Sequence, residues 1–369
     1  MSRPHTGNGD SAEPEKSAEL FLRRRKNQVA EQTIWNNRGH LNVFTDWCAE
    51  RGVTDLAHLD GGDFLEYQFY LEDERNLKPI TVGNHFNTLR TFFKFLEKYD
   101  YIPQEGHVAT QLESPEFGKG DEVRHTMLQP EAANEILDYL DTFEYGTRDH
   151  VLFALLWHTG ARVGAVRGLD LTDYTSIEET PSGEPYGTLE FHHRPDEGTP
   201  LKNGGDGTAH QDGGEREIFI EGAYCEVIDD YIRINRRDKK DQYGRKPLLT
   251  TRNGRPAINT LRMKVYRLTR PCVYAGTCPI GEDPETCDYA TYKNASKCPE
   301  SVSPHPLRRS AITRFLREKG MSYEDSSERF NVSVETLKKH YDETRKEDRR
   351  RNRAERYFQN KNRDSTNRP

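Results

Sequence analysis

The chain has 369 residues, and 54 lysines and arginines stand against 61 aspartates and glutamates, a formal net charge of −7 that excludes a uniformly basic nucleic-acid binder but not local patches of either sign. With 33% hydrophobic and 10% aromatic residues it is polar, yet long enough to bury the cores of about two domains. No apolar run reaches a membrane span and the N-terminus carries no secretory signal, so a cytoplasmic protein with no membrane partner is expected. Arginine is about twice as common as lysine and acid is abundant, a composition expected of a protein working at high salt, where phosphate contacts are weakened.

Residues 1–15 carry Gly, Ser, Pro and Glu without periodicity and read as a disordered leader. From 16 to 103 helical spacing dominates. Phe21 and Leu22 mark a first helix, Ile34, Leu41, Phe44 and Trp47 a second, and Phe64, Tyr67 and Leu71 a third. A fourth follows Pro79, with Val82, Phe86, Leu89, Phe92, Phe93 and Leu96 as its apolar stripe. On that helix Asn84, His85, Asn87, Arg90 and Lys94 are read as outward, a polar and basic set that suits a nucleic-acid backbone and equally suits a solvated face. Residues 104–125 lack a stripe, contain several Pro and Gly, and read as a linker.

A second unit is expected over 126–345. Pro130 and Glu131 open a helix. The segment from Asp149 to His158 is apolar on nearly all sides, as in a core helix, and stops at Thr159-Gly160. Arg162 follows at once in an apolar setting, where a charge is either paired with a carboxylate or kept for an anionic ligand. Strand patterns at 187–194 and 215–220 flank a long Gly-rich connection whose one lysine is Lys202. Further helices are expected around 223–236 and 260–270.

Near the C-terminus Ser303 is a plausible N-cap, Pro304 takes the first helical position, Leu307, Ala311 and Phe315 repeat every four residues, and Gly320 stops the run. His305 and Arg308 share a face of the first turn, where free N–H groups favour an anion. Tyr341 then arrives in a basic run with Lys338, Lys339, Arg345 and Lys346. Residues 346–369 form a charged tail.

Cys272, Cys278, Cys287 and Cys298 fall within one segment, 271–299, as C-x5-C-x8-C-x10-C. The count matches a structural zinc site although no C-x2-C knuckle is present, and unliganded thiols are the alternative.

Phosphoryl transfer without a metal needs a nucleophile, cations around the non-bridging oxygens and an acid for the leaving oxygen. Arg162, His305 and Arg308 can supply charge and hydrogen bonds, Lys202 the acid and Tyr341 the nucleophile. Taken singly, each has a bland explanation. Their order does not: His158-Thr159-Gly160-Ala161-Arg162, a hairpin lysine, His305-Pro306-Leu307-Arg308, then a tyrosine about thirty residues on resembles the tyrosine recombinases, or phage integrase family. The helical segment over 16–103 is similar to that family's core-binding domain.

The resemblance implies a mainly α fold with a small β-sheet: a helical, SAM-like core-binding domain followed by a tyrosine-recombinase catalytic domain. It implies cleavage and rejoining of double-stranded DNA through a 3′-phosphotyrosyl intermediate, with no cofactor for catalysis and a homo-tetramer on the DNA synapse. Arg162, Lys202, His305, Arg308 and Tyr341 take the catalytic roles by matching position. Tyr323 and Tyr357 are rival phenols, the first too close to the His305 helix and the second in the tail. The sequence departs from the family pattern at Ala165, where an acidic residue often supports the first arginine. It departs again where a third phosphate contact is usual, here Asn331 or Val332, with His340 as a neighbouring substitute. A non-catalytic DNA-binding regulator derived from such an enzyme is the alternative function.

Overall fold

Aromatic side chains spaced at three and four residues build the first compact unit, and a single helix buried on all sides builds the second. In the computed structural model the residues described are 12–29, 31–103, 112, 127–202 and 214–340. The chain divides into two compact units, Met1–His125 and Thr126–Pro369. Among the described residues no helix is long and apolar enough to cross a membrane.

The first unit contains α1 (Pro14–Arg25), α2 (Glu31–Glu50), α3 (Gly61–Phe69) and α4 (Pro79–Lys98). Proline stands in the first turn of α1 and α4, where its missing N–H costs nothing. Asp60 and Asp63 cap α3 reciprocally: Asp60 Oδ1 accepts from Gly62 N–H at 2.7 Å, and Asp63 Oδ2 accepts from Asp60 N–H at 2.9 Å. The stripes meet edge to face, with Phe44 5.2 Å from Tyr67 and Phe64 5.2 Å from Phe93. Each such buried ring contributes about 1.5–3 kcal/mol through area removed from water. The first helix begins at Pro14, before the expected end of the leader, because Ala12 is buried and held at both ends: its N–H donates to Asp55 Oδ1 (3.1 Å) and its carbonyl accepts from Leu56 N–H (2.9 Å).

One residue of the expected outward face of α4 faces inward. Asn84, Asn87 and Lys94 are exposed and Arg90 is half-buried, donating to Asn87 Oδ1 and Leu112 O. His85 is buried, with Nδ1 3.2 Å from the Tyr67 hydroxyl and its ring 4.3 Å from that of His40. It stands three residues after Val82 and four before Leu89, on the apolar stripe itself, so helical spacing overrides its polar identity.

The second unit contains α5 (Pro130–Phe143), α6 (Arg148–Thr159), α7 (Val163–Gly168), then β1 (Tyr174–Glu179), β2 (Pro185–Phe191) and β3 (Arg216–Glu221), followed by α8 (Gly222–Asp230), α9 (Ile258–Leu268), α10 (Pro271–Tyr274), α11 (Pro304–Arg317), α12 (Tyr323–Phe330) and α13 (Val334–His340). The sheet is antiparallel in the order β1-β2-β3, with Leu189 opposite both Tyr174 and Ile218, and Phe191 opposite Arg216. Strand β1 carries no alternating pattern because all of it beyond Tyr174 is exposed, so period-two spacing could not announce it. Every residue of α6 from Asp149 to Thr159 is buried, and α11, α8 and the sheet pack around it.

Burial first, then the charges of His40 and Arg75, lower His85 to about 4, against about 6.5 in the unfolded chain. Between those values the proton is bound by the unfolded chain alone, so this residue makes stability fall as pH drops from about 6.5 towards about 4. His85→Gln, which keeps a partner for Tyr67 and does not titrate, is expected to flatten that part of the profile by up to about 3 kcal/mol. Thermal midpoints of both proteins between pH 7 and 4.5 check this; parallel profiles would refute a neutral, buried imidazole.

Candidate active site

The site begins with a chain reversal. Helix α6 ends at Gly160, whose φ of 56° is left-handed and whose N–H donates to Leu156 O at 3.1 Å. A Cβ at this position would stand 2.9 Å from the Phe330 ring, so only glycine lets the turn sit against α12. The reversal leaves Arg162, half-buried and with extended backbone, as the N-cap residue of α7.

Helix α11 supplies the second part. Its approach is fixed by Thr269, whose hydroxyl donates to Val302 O (3.1 Å) and accepts from Val302 N–H (2.8 Å). Ser303 stands at the N-cap position without a side-chain cap bond, and Pro304 opens the helix. Arg308 is buried. It donates from Nη1 to Gly160 O and from Nη2 to Phe330 O, each at 2.6 Å, joining the end of α6, the start of α11 and the end of α12.

Around this core the structure brings four of the sequence-predicted residues together. His305 is exposed one turn before Arg308, and Lys202 is exposed at the edge of its connection. Partial burial, then the positive charges of Arg308, Arg309, Lys202 and Arg162, lower the pKa of His305 below the ordinary imidazole range. Asn331 sits in left-handed backbone (φ 50°) as the C-cap of α12. It is buried, and its amide nitrogen lies 2.2 Å from where a Cβ on Gly214 would be. Val332 turns the other way, into the apolar cluster of Ile312, Phe315, Phe330 and Leu337. The His340 side chain and Tyr341 lie outside the described residues.

Two arginines join this region that sequence reasoning passed over. Arg216, the first residue of β3, donates from Nε to Arg329 O (2.9 Å) and from Nη1 to Gly214 O (3.1 Å), and its guanidinium lies 4.3 Å from the Phe191 ring centre. Burial, then Arg308, Arg162 and Arg329, lower it to about 9, still charged at neutral pH. Arg329 is buried. It donates to Phe219 O (3.0 Å) and His158 O (3.2 Å) and lies 4.7 Å from the rings of Phe219 and Phe315. Burial brings it to about 10, with Glu221 opposing the shift. Either arginine in isolation reads as surface charge, one on a strand and one on a polar helix.

The second unit holds another arginine group of opposite design. Arg194, Arg245 and Arg255 surround Asp170, Asp173 and Asp241, with Arg194 2.7 Å from Asp173 and Arg245 2.8 Å from Asp170. There acids neutralise the cations, as in a structural network. Arg216 and Arg329, by contrast, rest on carbonyl oxygens, with no ion pair among the described residues. Cations held by backbone carbonyls rather than by close ion pairs attract a phosphate-like anion.

Against curated proteins, the chain is 31% identical over 147 residues to tyrosine recombinase XerC 2 of Ralstonia nicotianae, covering 38% of this chain and 41% of that protein. Over that stretch the chain is similar to tyrosine recombinases. No family model matches it, and the chain spans about half the length of the curated relatives it matches. Among solved structures it is similar to the Tn1549 transposon integrase in complex with a circular intermediate DNA, at 17% identity and a TM-score of 0.63, covering 94% of this chain and 100% of that one. It is also similar to a lambda integrase tetramer bound to a Holliday junction, at 15% identity and a TM-score of 0.54, covering 90% and 79%. These likenesses show that the chain shares their fold: mainly helical, with a small antiparallel sheet.

Cys272, Cys278, Cys287 and Cys298 lie in the segment between α9 and α11. Among the described residues no group of three or more His, Cys, Asp or Glu side chains is placed to hold a metal ion, and all four cysteines are free thiols.

Gly160→Ala is expected to destabilise the fold by about 2–4 kcal/mol, through strain at positive φ and overpacking against Phe330. Urea unfolding checks it: a lower midpoint at unchanged slope is the expected outcome, and an unaltered midpoint would show that the turn does not need glycine.

Proposed function

We propose that the protein is a site-specific DNA recombinase that cleaves and rejoins strands through a 3′-phosphotyrosyl intermediate on Tyr341. The observation that supports this best is the meeting of Arg308 with Gly160, 148 positions apart in sequence, beside a His305 that feels Arg162, Lys202 and Arg309 together.

In this reading the scissile phosphate lies over Arg162 and Arg308, whose guanidinium groups match its oxygens and whose charge is stronger for being partly desolvated, with the neutral His305 ring beside it. The Tyr341 phenol oxygen attacks phosphorus and the bond to the 5′-oxygen breaks. His305, kept neutral by its lowered pKa, accepts the phenol proton, and Lys202 protonates the departing oxygen. The phosphodiester energy is retained in the phosphotyrosyl bond, so a different 5′-hydroxyl can reverse the step and no nucleotide is consumed. The partner is double-stranded DNA, approached by the exposed Asn84, Asn87 and Lys94 of α4, and the assembly is a homo-tetramer on two duplexes. The domain limits are 16–103 for DNA binding and 126–345 for catalysis.

A nicked suicide DNA carrying the element's own junction tests the reading. The wild-type chain is expected to form a covalent adduct visible in denaturing gels, Tyr341→Phe none, and Arg162→Ala at least about 10²-fold less. No adduct with the wild type would favour a non-catalytic DNA binder. The low-pH limb of the adduct rate, as His305 becomes protonated, should have its midpoint below the ordinary imidazole value of about 6.5. A midpoint above about 6.5 would contradict a lowered His305 pKa.

We extend the proposal to a structural zinc on Cys272, Cys278, Cys287 and Cys298, outside the reaction. Its support is that the Cys272 thiol, raised mainly by burial, also feels the other three, in a segment with little core of its own: Ala295 and Cys298 alone are buried between 271 and 299. Elemental analysis is expected to find about one zinc per chain, lost on Cys→Ser substitution; a trace amount would remove the idea.

A further inference from the structure

Lys202 leaves the sheet at a narrow neck. On one side, residues 194–199 close on themselves, with Arg194 and Thr199 exchanging backbone bonds of 3.2 and 2.9 Å. His193 then ties both sides: its ring Nδ1 accepts from Leu201 N–H (3.0 Å), and its own N–H donates to Glu215 Oε1 (2.6 Å). On the far side Gly214, at φ 82°, leaves room for the Asn331 amide. Lys202 is therefore one residue beyond a pinned backbone atom.

Arg216 makes the remaining ties. Its fork spans Gly214 O at the neck and Arg329 O in the last turn of α12, two residues before Asn331 and the turn into α13, while its flat face rests on Phe191 of β2. A lysine could hold the charge but not both carbonyls in one plane. We propose that Arg216 is a positioning residue that sets Lys202 against the leaving 5′-oxygen by locking the neck of its connection to the turn before α13. This rests on the recombinase reading, in which Lys202 transfers a proton to the 5′-oxygen as the phosphorus–oxygen bond breaks. It assigns work to a residue outside the five carried over from the family.

The test uses the full chain on two suicide duplexes, one with the ordinary bridging 5′-oxygen and one with sulfur in its place. A thiolate departs without an acid, its pKa being far below that of an alcohol. Lys202→Ala is expected to lose about 10²-fold or more on the oxygen substrate and to recover most of it on sulfur. Arg216→Lys and Arg216→Gln are expected to lose roughly 10-fold or more on oxygen and likewise recover on sulfur, with Lys no better than Gln. Gly214→Ala, which leaves Arg216 intact and drives a methyl group into the Asn331 amide, should give the same recoverable loss.

Cleavage of both substrates reduced equally by the Arg216 variants, with Lys202→Ala still recovering, would make Arg216 merely structural and overturn the proposal. Full activity of Arg216→Lys on oxygen would show that charge alone matters and overturn it as well. Failure of Lys202→Ala to recover on sulfur is a distinct pattern: it would remove Lys202 as the acid, and this proposal with it.

Discussion

The second unit depends on one guanidinium. Arg308 lies in the interior and spends two of its donors on main-chain carbonyls, one at the end of α6 and one at the end of α12. Charge-assisted bonds of this kind contribute about 1.5–3 kcal/mol each, and removing the donor leaves buried acceptors unmet. Helix α6 and, 148 positions on, the neighbouring α11 and α12 are thereby fixed at one point, and His305, one turn away, inherits its position from that contact.

That arrangement carries an electrostatic cost, and the same unit shows how the cost is met elsewhere. Around Asp170 the arginines are matched with carboxylates and the charge is closed. Arg216 and Arg329 are held instead by dipoles of the backbone and the faces of aromatic rings, which orient a cation without cancelling it. Burial first, and then repulsion between neighbouring cations, lowers Arg216 and His305.

Much of this was legible beforehand. Helical spacing announced the aromatic core of the first unit and the all-apolar α6, because burial at period 3.6 leaves a direct trace in residue type. Box residues Arg162, His305 and Arg308 were legible by their pattern, and the fold brings them together with Lys202. Other features left no such trace. His85 looked polar and outward but lies on the Val82–Leu89 stripe; β1 is exposed and so lacks alternation; Arg216 and Arg329 look like ordinary surface charge. The four cysteines match a zinc count, yet the described residues present them as thiols without a ligand group.

Sequence by itself determined the strongly periodic helices and the order of the reactive side chains, since propensity, periodicity and residue order are local properties. Tertiary structure alone decided which cations face acids and which face backbone, that Asn331 interlocks with Gly214, and that Arg216 joins the Lys202 neck to the turn before α13. Those relations are contacts between segments up to about 170 residues apart, and no local pattern encodes which carbonyl a distant guanidinium will find.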